Sequence, residues 1–147
     1  MTHVVLNGPL GFGEDVDGEA LLSEEAFSPR YDLDRSTGVV SRQGHPLEGV
    51  SIAGKILVLP AVKGGVAAGW ALLNLRERGI APLAIICSKT NPVFVQGCVV
   101  ANIPIMHRLH PDPFTIIQSG CKLHLAPRRG EVIVSTLGSP PIRSVLK

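Results

Sequence analysis

Lys63, Gly64 and Gly65 stand where an unbroken apolar run ends and a helical pattern begins. A lysine and two glycines at that point suit anion binding. Free amides at a helix start attract carboxylate or phosphate, and glycine lets a ligand come close to the backbone. The same three residues would also make a plain tight turn between strand and helix. No Lys-Ser or Lys-Thr closes the loop as in a Walker A site, and the G-x-G-x-x-G spacing of a dinucleotide site is missing.

Other residue types with chemical potential are scattered. His45 lies in GHPLEG, where Pro46 favours extended chain and the flanking glycines are expected to keep the imidazole near the surface. There it could donate to a substrate oxygen or simply occupy a turn. Asp32 and Asp34 alternate in RYDLDRSTG, so an extended strand would point both carboxylates to one side, as acid and base work requires. Arg30 and Arg35 would keep both acids ionised, and the alternative is a solvated charged loop. His107 and His110 are spaced to share a helical face, but Pro104, Pro111 and Pro113 oppose a helix there, so no metal site is expected. Trp70 and Leu73, at helical spacing, read as core contacts.

The elements that must position these residues follow from hydrophobic patterning. Before Lys55 the chain reads as short strands and turns, with strand-like runs at 16–22 and 38–41. From Lys55, KILVLP reads as a strand buried on both faces, the mark of a central parallel strand. VAAGWALLNLRERG follows as a helix stopped by Gly79, and APLAIIC as a second buried strand. VFVQGCVVAN is ambiguous, IPIM is a third strand, and DPFTIIQSG reads as a helix capped by Asp112. CKLHLAP and EVIVS close the order as strands turning at RRG. A right-handed crossover pairs the two buried strands in parallel and puts residues 63–65 at the carboxyl edge of the sheet, where ligands of open α/β sheets bind.

A chain of 147 residues can bury a core as a single domain, 1–147, with residues 138–147 set off by Pro140 and Pro141 as a partner-binding tail. Its composition, 45% hydrophobic and only 18% charged, points to a face covered by something else. The net charge of +2 is spread along the chain, and aromatic residues are 4%, so neither a nucleic acid nor a membrane partner is expected. Cys87, Cys98 and Cys121 form no C-x-x-C pair and sit in apolar surroundings, so they read as free thiols in a reducing cytoplasmic setting. No Cys and His grouping has ligand spacing, and no cofactor is expected in this chain.

Taken in order, SPRYDLDRSTG, HPLEGVSIAGKILVLPAVKGG, ALLNLRERGIAPLAIIC and GCVVANIPIM resemble the aconitase X swivel domain family over about residues 12 to 134. The resemblance implies an α/β fold of the swivelling β/β/α type with a partly parallel central sheet. It also implies a large catalytic partner subunit that carries most substrate contacts and any iron–sulfur centre. The activity implied is dehydration of a hydroxy acid, such as cis-3-hydroxyproline or a phosphorylated mevalonate. One departure stands out. The family's loop reads Arg-Gly and then a serine-rich run whose first serine is implicated in proton transfer, whereas here the chain continues Lys63-Gly64-Gly65-Val66-Ala67-Ala68-Gly69 without a hydroxyl. The family's acid ahead of His-Pro-Leu is replaced by Arg42.

On this footing the expected function is that of a small subunit of a heteromeric hydro-lyase whose glycine-rich loop caps a shared active site over a small acidic substrate. Lys63 would neutralise substrate charge, the Gly64 and Gly65 amides would orient it, and His45 and Asp34 would add polar contacts beside Gly65. The alternative is a non-catalytic module that keeps the fold and the partner but not the turnover.

Overall fold

The computed structural model describes residues 2–63 and 65–136; Gly64 and the expected partner-binding tail lie outside them. The chain opens with β1 (Thr2–Asn7) and β2 (Val16–Leu22), followed by a small hairpin of β3 (Leu33–Asp34) and β4 (Val39–Val40). Next come β5 (Ile56–Ala61), α1 (Val66–Glu77), β6 (Ala84–Lys89), α2 (Pro92–Ala101) and β7 (Ile105–His107). A single helical turn, α3 (Pro113–Ile116), leads to β8 (Lys122–Ala126) and β9 (Glu131–Thr136). Seven strands form one sheet in the order β1-β9-β8-β2-β5-β6-β7.

Half of that sheet is parallel and half antiparallel, for a reason visible in the connections. β5, β6 and β7 are joined through α1 and α2, and such crossovers make the pairs β5–β6 and β6–β7 parallel. β2 is shared: it pairs in parallel with β5 and antiparallel with β8. β8 and β9 are linked by the one-turn 3-10 segment Pro127–Arg129, and β9 pairs antiparallel with β1.

Side chains of β5 and β6 alternate between two cores, as a strand period of two demands. Leu57, Leu59, Ile85 and Cys87 face α1 and α2, meeting Leu72, Leu75, Phe94 and Cys98. Ile56, Val58, Ala84 and Ile86 face the other way and meet Leu6, Leu123, Leu125, Val132 and Val134 from the antiparallel half. The antiparallel half therefore folds back over the parallel half, giving layers of sheet, sheet and helices. This is the expected α/β architecture with a partly parallel sheet.

Local chemistry settles what patterning left open. The ambiguous segment becomes α2 because Asn91 caps it, its side-chain oxygen accepting from the Phe94 amide at 2.8 Å, with Pro92 at the first helical position. Asn102, in the left-handed region at φ 56°, ends it. The helix expected after Asp112 shrinks to one turn: Asp112 does accept from the Phe114 amide at 3.0 Å, but Ile117 is already extended and buried. α1 crosses α2 at Gly69 and Gly97, so closely that a Cβ on Gly97 would lie 2.5 Å from Gly69 Cα.

Candidate functional site

The Lys63 loop leaves the carboxyl end of β5 as expected, and an irregular stretch of residues 23–32 fixes its course. The Ser23 amide donates to Val58 O at 3.0 Å, Phe27 bridges Val62 in parallel, and the Lys63 amide donates to Phe27 O at 2.9 Å. The pairing begun by β2 thus continues past the end of β5. A non-strand segment packed against the sheet must satisfy its backbone by other means. Among the described residues the buried polar side chains are Ser23, Ser28, Asp32 and His45, and all four serve this segment.

Their bonds show how. Ser23 Oγ donates to Glu25 O at 2.8 Å and accepts from the Glu25 amide at 3.1 Å. Asp32 Oδ2 accepts from the Ser28 amide at 2.8 Å, while Oδ1 meets Arg42 Nη1 at 3.3 Å. His45 Nδ1 accepts from the Leu47 amide at 3.1 Å, which leaves Nε2 to carry the proton and donate to Ala26 O at 3.3 Å. The imidazole also stands edge-on to Phe27, centroids 6.0 Å apart.

Two expectations about these residues are corrected. His45 is 4% exposed, not near the surface, because Pro46 and the turn it starts fold the ring inward onto Phe27 with both nitrogens engaged. Its contacts reach Ala26 and Phe27, and the Phe27 carbonyl accepts from the Lys63 amide. Asp32 and Asp34 do not share a side. The strand is only two residues long, Asp32 is 2% exposed within its hydrogen bonds, and Asp34 is exposed on the hairpin. Asp34 Oδ1 accepts from Ser36 Oγ at 2.6 Å and from the Ser36 amide at 2.9 Å. Those bonds, the hydroxyl first, hold its carboxyl below the usual range and make it a turn-former. The structure does not bring Asp34 or the His45 nitrogens to the Lys63 loop as open groups.

What the structure brings to the carboxyl edge is positive. Lys63 is exposed and forms no ion pair among the described residues. Lys89, at the end of β6, is in register with Ala61 of β5; it is also exposed and has no ion pair. Sequence reading missed it, although a lysine closing the run AIICSK ahead of a capped Asn-Pro helix start carries the same signal as Lys63. Gly65 is the N-cap of α1, with no side-chain cap and no acid in the first turn. The first turn of α2 also lacks an acid. Among the described residues, a Cβ on Gly65 would meet only Val93 Cγ1, at 3.8 Å. Gly64 lies outside the described residues.

The loop itself has no hydroxyl, whereas the end of β6 brings Ser88, half-buried, and Thr90 to this edge. Thr90 Oγ1 is buried without a conventional hydrogen-bond partner, lying beside the Cys87 thiol, a weak acceptor. Burial pushes the Cys87 thiol up to about 11 and the Cys98 thiol up to about 12. Cys121 packs against the opposite core, so the three thiols do not form a donor set for a cluster. Among the described residues, no group of three or more His, Cys, Asp or Glu could hold a metal ion. Nor is any described helix long and apolar enough to cross a membrane.

The family model described as the aconitase X swivel domain matches residues 6–134. A phosphomevalonate dehydratase small subunit from Methanococcoides burtonii is 36% identical over 116 residues, covering 79% of this chain and 85% of that protein. The corresponding small subunit from Methanothrix thermoacetophila is 35% identical over 127 residues, covering 86% and 91%. Among solved structures, the crystal structure of Thermococcus kodakaraensis aconitase X in its holo-form superposes with a TM-score of 0.84 at 28% identity, covering 90% of this chain and 99% of that one.

Proposed function

This chain belongs to the aconitase X swivel domain family, and from that premise we propose that it is the small subunit of a dehydratase that removes water from phosphomevalonate. The observation that carries the reading is the pair of lysines without acid partners among the described residues, Lys63 and Lys89, at the carboxyl edge beside an uncapped helix start, in a chain whose relatives bear that name. Phosphomevalonate has a carboxylate at one end and a phosphate at the other, with a hydroxyl on the carbon β to the carboxylate. Two separate anionic groups need two cationic contacts, and cis-3-hydroxyproline offers one.

Dehydration takes the proton from the carbon next to the carboxylate and the hydroxyl from the carbon beyond it, leaving a double bond and water. Negative charge develops on the carboxylate as the proton leaves, so a fixed cation and amide donors there lower the barrier. In this reading Lys63 and the Gly64 and Gly65 amides meet the carboxylate, and Lys89 meets the phosphate. His45 and Asp32 hold the segment that holds the loop. Proton transfer belongs to the large subunit, because the loop offers amides and no hydroxyl. Any iron–sulfur centre belongs there too, as the three thiols here do not converge. The assembly is heteromeric and cytoplasmic.

In enzyme reconstituted with the large subunit, Lys63→Ala removes a charge-assisted contact, and kcat/KM is expected to fall about 10- to 100-fold. Activity unchanged by both Lys63→Ala and deletion of the loop would overturn the assignment. The second reading, a module that has lost turnover, is favoured by one observation: Val66, Ala67, Ala68 and Gly69 stand where the loop could have carried hydroxyls. It requires that the reconstituted pair bind the hydroxy acid and leave it intact.

A further inference from the structure

Trp70 was expected in the core, yet it is 64% exposed. The reason is its place on α1: Ala68, Ala71, Leu72 and Leu75 take the buried face, which leaves Trp70 and Val66, four residues apart, on the outer one. α2 presents Val93, Val99 and Val100 outward in the same way, at 40%, 46% and 58% exposure. The two helices meet at Gly69 and Gly97, and the valley between them is a groove of about 280 Å³ walled by Val66, Trp70, Val93, Gln96 and Val100.

We propose that this groove is the docking surface for the large subunit. The assignment rests on the functional reading above, which supplies the partner, and adds the surface. Three observations favour that occupant. First, the groove is continuous with the candidate site: Val66 follows Gly65 directly, and a Cβ on Gly65 would meet Val93 Cγ1 at 3.8 Å. A chain that completes the site over the loop must pass over these two valines. Second, the surface is uncharged, since α2 has no charged residue and α1 has none before Arg76. It therefore complements an apolar, neutral partner face and not an acidic or basic one. Third, its centre is a tryptophan, the residue type that dominates binding energy when it enters a partner's pocket. An exposed Trp flanked by valines on two helices is the anatomy of an interface core.

Trp70 is the single tryptophan of the chain, so 5-fluorotryptophan placed in this chain alone reports on it without interference from the partner. On addition of the large subunit, its fluorine resonance should shift and lose its H₂O/D₂O solvent effect. By sedimentation, Trp70→Ala and Val100→Thr should each weaken the complex, Trp70→Ala by about 30-fold or more. The affinity of the unaltered pair should change little between low and high salt. A complex that forms with the fluorine signal unmoved and the Trp70→Ala affinity unchanged overturns the docking surface while leaving the functional reading intact. Failure of the unaltered chain to bind the large subunit at all overturns both. Two results in the isolated chain would give the groove to another occupant and overturn the assignment: dimerisation abolished by Trp70→Ala, or a fluorine shift on removal of residues 137–147. Both single substitutions are at exposed positions, and the fluorine measurement uses the unsubstituted fold.

Discussion

Replacing Gly97 with alanine would put a methyl carbon 2.5 Å from Gly69 Cα, whereas ordinary contact begins at 3.4 Å. The atom it meets is backbone, so no side chain can swing aside. Helices α1 and α2 would have to separate by about 1 Å, loosening the packing of Leu72, Leu75, Phe94 and Cys98 above the sheet. Overpacking of this kind costs about 3 kcal/mol, and the better helix propensity of alanine returns about 1 kcal/mol. The net loss expected is about 2 kcal/mol, or a fall in Tm of about 4–8 °C for a domain of this size. Gly69→Ala meets Gly97 Cα at 3.0 Å and should cost less. Urea unfolding of both variants measures the difference. If Gly97→Ala stabilises the protein by about 1 kcal/mol, as propensity alone dictates, the close crossing of the two helices is refuted.

Three further tests probe the scaffold of the site. His45→Phe keeps an aromatic ring against Phe27 but strands Ala26 O and the Leu47 amide; a loss of about 2–4 kcal/mol is expected, with faster hydrogen exchange at the Lys63 amide, and unchanged exchange would break the proposed link to the loop. Asp32→Ala leaves the Ser28 amide buried without its acceptor and should cost about 2–3 kcal/mol, while Asp34→Ala on the exposed hairpin should cost visibly less; equal losses would contradict the separation of the two acids. Thiol labelling at pH 8 should modify the half-buried Cys121 rapidly and spare Cys87 and Cys98, whose pKa values of about 11 and 12 keep them protonated; rapid labelling of all three would place the latter outside the core.

The fold was legible where burial is two-sided. KILVLP and APLAIIC read as central strands and are β5 and β6, and Gly79, at φ 75°, ends α1 where a left-handed residue is needed. The loop between them and its place at the carboxyl edge followed from crossover geometry alone. Edge and bend elements were less visible: β1 has β9 as its neighbouring strand and is otherwise held by the single bridge from Asn7 to His110, and an edge strand shows weaker patterning. The candidate site was half legible. Lys63 and Gly65 stand out by type and position, but the burial of Asp32 and His45 depends on contacts with residues 26–28 that spacing cannot reveal. Trp70 misled for the opposite reason. Apolar residues on two faces of a helix read as a single core, and only the packing shows that one face has no neighbour among the described residues.

If this chain supplies the loop of a shared active site, the large subunit should need it for turnover. The direct measurement is the rate of phosphomevalonate dehydration by the large subunit, titrated with this chain. Negligible turnover is expected from the large subunit alone, with activity that rises on addition of this chain to a plateau at equal amounts. Full activity of the large subunit by itself, indifferent to the added chain, would contradict that dependence.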